Sequence, residues 1–385
     1  MKAPLSSTPH FGYLDGLRAM AALVVIFYHA IVKVSLDARQ FGRLGYLFDV
    51  FYYGHYAVDL FIVLSGFCLM LPVIRHGGIL RGGALAFFKR RFWRILPPYY
   101  LALGLSLFLV WFFVRQQDGP QFDGYLPVTF KGIISHLLLV HDALDDFSIN
   151  PVFWSIAVEW RIYFVFPLLL LAWRRMGGIA TTFAAIAGSY LLFRFLSAFF
   201  TCSLAAHYIG MFTMGMLGAS IAFSSSEPYL QLRHLPWKIA TLLLTVLVVV
   251  ISKVKLWHGS IMPLHLADYC VGVWTMSFLI MVSIHREHWV TRILSSQPLV
   301  FIGTFAYSIY LIHAPILQLL WQYLAGPLQQ HHFRMVAVLF LVGLPLILGC
   351  SYLFFLVCER PFIRKPSSKS ATMLGMKMAT VGGQN

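Results

Sequence analysis

The sequence predicts an all-α integral membrane protein, with about ten transmembrane helices around a polar central cavity. Apolar residues make up 59% of the chain and charged residues only 11%, against roughly a quarter charged in soluble domains. Apolar runs of about 20 residues, each long enough to cross hydrocarbon, recur at 17–36, 56–74, 95–114, 152–173, 179–200, 205–223, 237–254, 265–284, 299–323 and 335–358. Several runs also carry polar and ionisable residues at mid-membrane depth, and these predict the cavity.

The first run, LRAMAALVVIFYHA, lacks a strong basic n-region and a small-residue cleavage site. It is therefore expected to stay as a helix rather than leave as a signal peptide. Arg18 and His29 are eleven residues apart, close to three helical turns and about 16 Å of rise. They face nearly the same side, with Arg18 at the interface and His29 near the bilayer middle. Arg18 alone reads as a snorkelling arginine. His29 is a functional candidate because an ionisable group at that depth is costly. A neutral imidazole there can take a proton from a hydroxyl.

The second run, HYAVDLFIVLSGFCLM, holds Asp59 and Ser65. The stretch leading into the third, FFKRRFWRILPPYY, puts Arg91 and Arg94 on one helical face. Two guanidinium forks there suit phosphates; the plainer reading is a stop-transfer cluster on anionic lipid. The next connection, about 115–151, includes KGIISHLLLVH, expected as a short helix at the membrane. It also contains HDALDD, in which His141 and Asp146 have the HxxxxD spacing of glycerolipid acyltransferases, but on the far side from cytosolic acyl donors.

The fourth run opens NPVFWSIAVEWRIYFVFP, with Trp154, Ser155, Glu159, Arg161 and Tyr163 entering from its outer end. Trp154 suits an interfacial belt. Glu159 and Arg161 read either as mutual neutralisers or as functional groups, although residues two apart are not neighbours on a helical face. The carboxylate is expected to line an outer half of the cavity. FIGTFAYSIYLIHAPI, in the ninth run, brings Tyr307, Ser308, Tyr310 and His313 to mid-membrane. Arg194 and Asp268 read either as further members of the polar set or as helix-end charges.

The five cysteines lie within or at the ends of apolar runs without CxxC spacing, which argues against a disulfide framework or a zinc motif. The glycines form no phosphate loop. The last twenty or so residues are small and polar, and 363–385 is expected to be a disordered tail after a membrane domain at 11–362.

The net charge of +15 is explained by topology without a nucleic-acid partner. Arg75, Arg81, Lys89, Arg90, Arg91 and Arg94 crowd the second connection, Arg174 and Arg175 the fourth, and Arg360, Arg364, Lys365, Lys369 and Lys377 follow the last run. The third connection is acidic through Asp118, Asp123, Asp142, Asp145 and Asp146. The positive-inside rule then places both termini in the cytoplasm.

LDGLRAMAALVVIFYH resembles the R-x10-H signature of the acyltransferase 3 family of membrane O-acyltransferases. The resemblance continues through VDLFIVLSGF, KRRFWRILPPYY, SINPVFWSIAVEW, AYSIYLIHAPI and CERP, and covers residues 11 to about 362. It implies ten helices, cytoplasmic acyl-CoA as co-substrate and a hydroxyl acceptor, usually on a sugar, across the membrane. It also implies functional roles for Arg18 and His29, for the pair Arg91 and Arg94, and for Glu159. Larger members carry a C-terminal SGNH hydrolase-like domain; without one, transfer would be completed by this chain or through a partner protein.

Together these readings give a transferase of the bacterial cytoplasmic membrane. It would move an acyl group, by default acetyl, from acyl-CoA to a surface polysaccharide or its lipid-linked precursor. His29, Arg18 and Glu159 would be catalytic, and Arg91, Arg94, Asp59, Ser65, Trp154, Ser155, Tyr310 and His313 would bind substrates. Ester formation from a thioester calls for no metal and no bound cofactor. The competing readings are a polytopic transporter or flippase, and a structural subunit of a glycan export system. Reporter fusions at residue 385 and within 78–88 should read cytoplasmic, and fusions within 118–146 external; a cytoplasmic signal at 118–146 would discard the ten-span topology.

Overall fold

The computed structural model describes residues 11–34, 53–114, 127–199, 204–258, 264–328 and 331–363. These form a helical bundle with no strand among the described residues. Asp118, Asp123, Cys202 and the tail beyond 363 lie outside them. The helices are α1 (Gly12–Val34), α2 (His55–Arg75), α3 (Gly83–Phe112), α4 (Phe130–Leu137), α5 (Trp154–Met176), α6 (Gly178–Phe199), α7 (Tyr208–Phe223), α8 (Glu227–Arg233), α9 (Trp237–His258), α10 (Leu264–Ile284), α11 (Trp289–Leu294), α12 (Gln297–Thr304), α13 (Ala306–Leu320), α14 (His332–Val338) and α15 (Leu344–Phe354).

Each of the ten apolar runs falls on a helix. Seven described helices are long and apolar enough to cross a bilayer, or up to nine if each of two bent pairs is one span. The 22-residue α9 lies on the seventh expected run. The first helix packs into the bundle, with Leu14, Ala19, Ala22 and Ile26 buried. The expected short helix is α4, capped where the Thr129 hydroxyl accepts from the Gly132 amide at 2.9 Å.

Two boundaries differ from expectation in ways that matter for the site. Helix α3 starts at Gly83 and continues for 30 residues through Pro97 and Pro98. Arg91 and Arg94 therefore sit inside a helix rather than in a connection. Membrane helices tolerate such prolines because neighbouring elements satisfy the freed backbone groups. The ninth run bends by 72° between α12 and α13, at Phe305 with φ −121° and ψ 21°. Further on, residues Phe355–Glu359 form a π-helical turn that ends the last span.

Close backbone approach holds the interior. A methyl group on Gly66 of α2 would lie 2.0 Å from the Phe212 carbonyl oxygen of α7, and one on Gly215 of α7 would lie 1.9 Å from that of Val63. Small residues let membrane helices meet in this way where lipid supplies no hydrophobic drive between them. The first residues of α1 meet the last residues of α2 and α10, with the guanidiniums of Arg75 and Arg286 at 5.7 Å and 5.4 Å from the Phe11 ring. This is the basic end of the bundle, and the segment with Asp142, Asp145 and Asp146 marks the acidic end.

A Gly215→Val substitution must separate two backbones, an overpacking cost of roughly 1–3 kcal/mol. It should lower the melting temperature of detergent-purified protein by several degrees. Gly104→Ala, where an added methyl meets nothing within 4 Å, should leave it unchanged.

Candidate active site

A cavity of about 510 Å³ opens inside the bundle between α1, α2, α3, α5, α12, α13 and the final turns at 355–363. Arg18, Arg91 and Arg94 line it together with Asp15, Ser65, Ser155, Glu159, Tyr163, Gly303, Thr304, Tyr307, Tyr310 and Glu359. Its mouth is at the basic end, where Arg94 is exposed and Ile363 borders the opening.

The Arg18 guanidinium bonds the Asp15 carboxylate one turn earlier at 2.6 Å and the Cys68 Sγ of α2 at 3.1 Å. Helical spacing makes the first contact, and packing of α1 on α2 makes the second. The Arg91 guanidinium sits over the rings of Phe87 and Tyr163, at 6.0 Å and 5.9 Å from their centroids, so aromatic faces stabilise this cation. One oxygen of Glu159 accepts hydrogen bonds from the Ser65 hydroxyl at 2.8 Å and from the Tyr163 hydroxyl.

Glu159 was expected to line the external half of the cavity. It shares one cavity with Arg18 and Arg91 because the preceding segment dips into the bundle and α5 starts below it. His136, His141, Ile149, Asn150 and Phe153 are buried there. The Asn150 amide donates to the Ser106 hydroxyl at 3.1 Å and to the Leu311 carbonyl at 3.0 Å. Arg161 turns the other way, pairs with Asp142 and reaches the Leu139 carbonyl at 3.4 Å. Glu159 and Arg161 therefore take different partners.

At the deep end the Ser155 and Tyr310 hydroxyls lie 2.5 Å apart. Beyond them, outside the cavity wall, sit His313 and His29. Nδ1 of His313 faces the carbonyl oxygens of Ile309 and Tyr310 at 3.0 Å and 2.9 Å, which only accept, so that nitrogen carries a proton. Nε2 of His313 is then the acceptor toward Nδ1 of His29 at 3.3 Å. The His29 Nδ1 also meets the Val25 carbonyl at 2.9 Å. Both contacts place the His29 proton on Nδ1 and leave Nε2 as its basic nitrogen.

The expected residues thus divide into groups. Arg18, Ser65, Arg91, Arg94, Ser155, Glu159 and Tyr310 share the cavity. His29 and His313 pair behind Tyr310. Asp59 and Trp154 were expected in the same cavity but lie apart, near the acidic end: the Trp154 ring stacks on His55 at 6.1 Å, and Asp59 is wholly buried beside His55 and Asp268. Asp15 and Glu359 were missed as site residues. The first was legible as an i, i+3 partner of Arg18; the second, whose carboxylate accepts from Ser308 at 2.5 Å, stands in the quoted CERP motif.

His141 and Asp146, the HxxxxD pair, are structural. The Asp146 side chain accepts from the Ser148 hydroxyl at 2.6 Å, while the His141 ring stacks on His136 at 4.0 Å.

The fold and cavity define a polytopic membrane protein with three guanidiniums lining one internal cavity. Residues 11–356 match the family described as an acyltransferase domain, and the chain belongs to the acyltransferase 3 family of membrane O-acyltransferases. It is 26% identical over 344 residues to YrhL of Bacillus subtilis, provisionally named a peptidoglycan O-acetyltransferase, covering 81% of this chain and 50% of YrhL. It is 26% identical over 329 residues to the O-acetyltransferase OatA of Staphylococcus aureus, covering 79% of this chain and 50% of OatA. The chain thus spans about half the length of these relatives. No solved structure matches it.

Burial, and then the neighbouring His136, lowers the His141 pKa from 6.5 to about 4. The folded segment therefore binds fewer protons than a loosened one, and its stability falls as pH drops from about 6.5 toward 4. Hydrogen exchange across residues 130–148 should quicken over that range beyond its intrinsic pH dependence. The excess should shrink in His141→Phe.

Proposed function

We propose that the chain transfers an acyl group, by default acetyl, from acyl-CoA to a sugar hydroxyl across the membrane; the name of YrhL points to peptidoglycan O-acetylation and that of OatA to O-acetyl transfer. The observation that carries this reading is the convergence of three guanidiniums on one cavity whose deep wall adjoins the His29–His313 pair. Arg94 at the mouth and Arg91 and Arg18 farther in would hold the donor's phosphates by charge-assisted hydrogen bonds. The thioester would then lie toward Ser155 and Tyr310. Under the loop-charge topology the basic end faces the cytoplasm, where acyl-CoA is made, and the membrane is the bacterial cytoplasmic membrane.

In the reaction, Nε2 of His29 takes the proton of the acceptor hydroxyl. The oxygen attacks the thioester carbonyl; the carbon–oxygen bond forms as the carbon–sulfur bond breaks. The proton then passes to the departing thiolate, and CoA leaves as the free thiol. His313, by accepting from Nδ1 of His29, orients the ring and steadies the imidazolium that forms. The chain's own residues supply all of these groups. A partner protein would be needed only to present or pass on the acceptor.

Purified protein in proteoliposomes, given labelled acetyl-CoA and glycan fragments, should label the glycan as an alkali-labile ester. His29→Ala should abolish labelling at normal protein levels. Arg91→Ala with Arg94→Ala should raise the acetyl-CoA KM tenfold or more, in a salt-sensitive manner, with little change in acceptor KM. Because Glu159 shares the arginine cavity, Glu159→Gln should alter donor KM as well as turnover. Near-normal turnover in His29→Ala would remove its role as base, and transport of CoA or glycan without ester formation would replace the enzyme reading altogether.

A further inference from the structure

At the acidic end, outside the lining of the arginine cavity, three helices bring together a cluster that the proposed acyl transfer does not use. His55 begins α2, Asp59 follows one turn later, Asp268 lies in the first turns of α10, and His207 immediately precedes α7. Asp59 and Asp268 are 0% and 1% exposed. Among the described residues, neither oxygen of Asp59 nor Oδ1 of Asp268 makes a hydrogen bond of good geometry, although the Tyr208 hydroxyl lies beside Asp59 and the His55 ring beside Asp268.

Two carboxylates buried side by side in this way need a positive charge between them or beside them. The geometry supplies a place for one. Nε2 of His55 lies 3.3 Å from Asp268 Oδ1 and 3.8 Å from Asp59 Oδ1, and one donor atom from each of the three residues falls within 4.8 Å of the others. Ligands bound at about 2.1 Å in tetrahedral array stand roughly 3.4 Å apart, so the two separations from His55 are close to the edges of such a site. His207 supports it from behind, its Nε2 3.1 Å from Asp268 Oδ2, as a histidine that orients a ligating carboxylate from the outer shell.

We propose that His55, Asp59 and Asp268 bind a divalent transition-metal ion, Zn2+ being the best match. An imidazole nitrogen with two carboxylates suits that class, whereas Ca2+ takes six to eight oxygens. The ion neutralises both aspartates and ties α2 to α10, with His207 extending the tie to the start of α7. Its place beneath the Trp154–His55 ring stack makes it a brace for the acidic end. The proposal is independent of the acyl-donor reading.

Elemental analysis of tag-free, detergent-purified protein should find about one equivalent of zinc. Stripping with a chelator should lower the melting temperature by several degrees, and ZnCl2 but not CaCl2 should restore it. Asp59→Asn and Asp268→Asn should each lose the metal and the zinc-dependent shift. If either variant fails to fold, the wild-type measurements decide alone. Wild-type protein that is metal-free as purified and unmoved by ZnCl2 or MnCl2 overturns the proposal, since protonation must then neutralise the aspartates. Equal rescue by CaCl2, or an equal zinc shift in the aspartate variants, overturns it as well.

Discussion

An ion in hydrocarbon costs about 3 kcal/mol even on lenient scales, and the arginine cavity is organised by how its ions are answered. Asp15 bonds Arg18, the hydroxyls of Ser65 and Tyr163 serve Glu159, and the rings of Phe87 and Tyr163 lie under Arg91. Each response comes from a neighbouring turn or a different helix. Tyr163 serves both the carboxylate and the guanidinium, so α2, α3 and α5 share one depth in the membrane. Removing any one of these groups leaves another charge exposed to a medium that cannot solvate it. The polar network and the helix register are therefore a single constraint.

Much of this was legible in the sequence, because the bilayer imposes length and polarity on each segment. The ten apolar runs follow from the need to cross hydrocarbon, and the register of Arg18 and His29 from helical rise. What a single helix could not give was depth within the bundle. Counted from Trp154, Glu159 is an outer-turn residue; Asn150, anchored on Ser106 and Leu311, carries the start of α5 down into the bundle. Nothing in local composition announces that descent, since its hydrogen bonds go to residues 44 and 161 positions away. Asp59 and Asp268 fail for the same reason: their proximity is created by the packing of α2 and α10.

The two ends of the molecule divide its chemistry. Guanidiniums gather around a cavity that Asp15, Glu159 and Glu359 also line, whereas His55, Asp59, His207 and Asp268 form a tightly packed cluster at the acidic end. Between them the hydrogen-bonded pair Ser155–Tyr310 separates the cavity from His29 and His313.

The bend between α12 and α13 has a bearing on how the cavity wall can vary. Gly303 lines the cavity, and having no side chain it offers only peptide atoms to whatever lies there. A methyl at that position would lie 2.1 Å from the Asp15 carbonyl oxygen, on the turn of α1 that presents Arg18. Part of the cavity wall is therefore made of main chain, and the placement of a charged side chain depends on a missing one. Scanning substitutions that truncate side chains will report the arginines and hydroxyls of this wall while passing over a surface that has no side chain to delete.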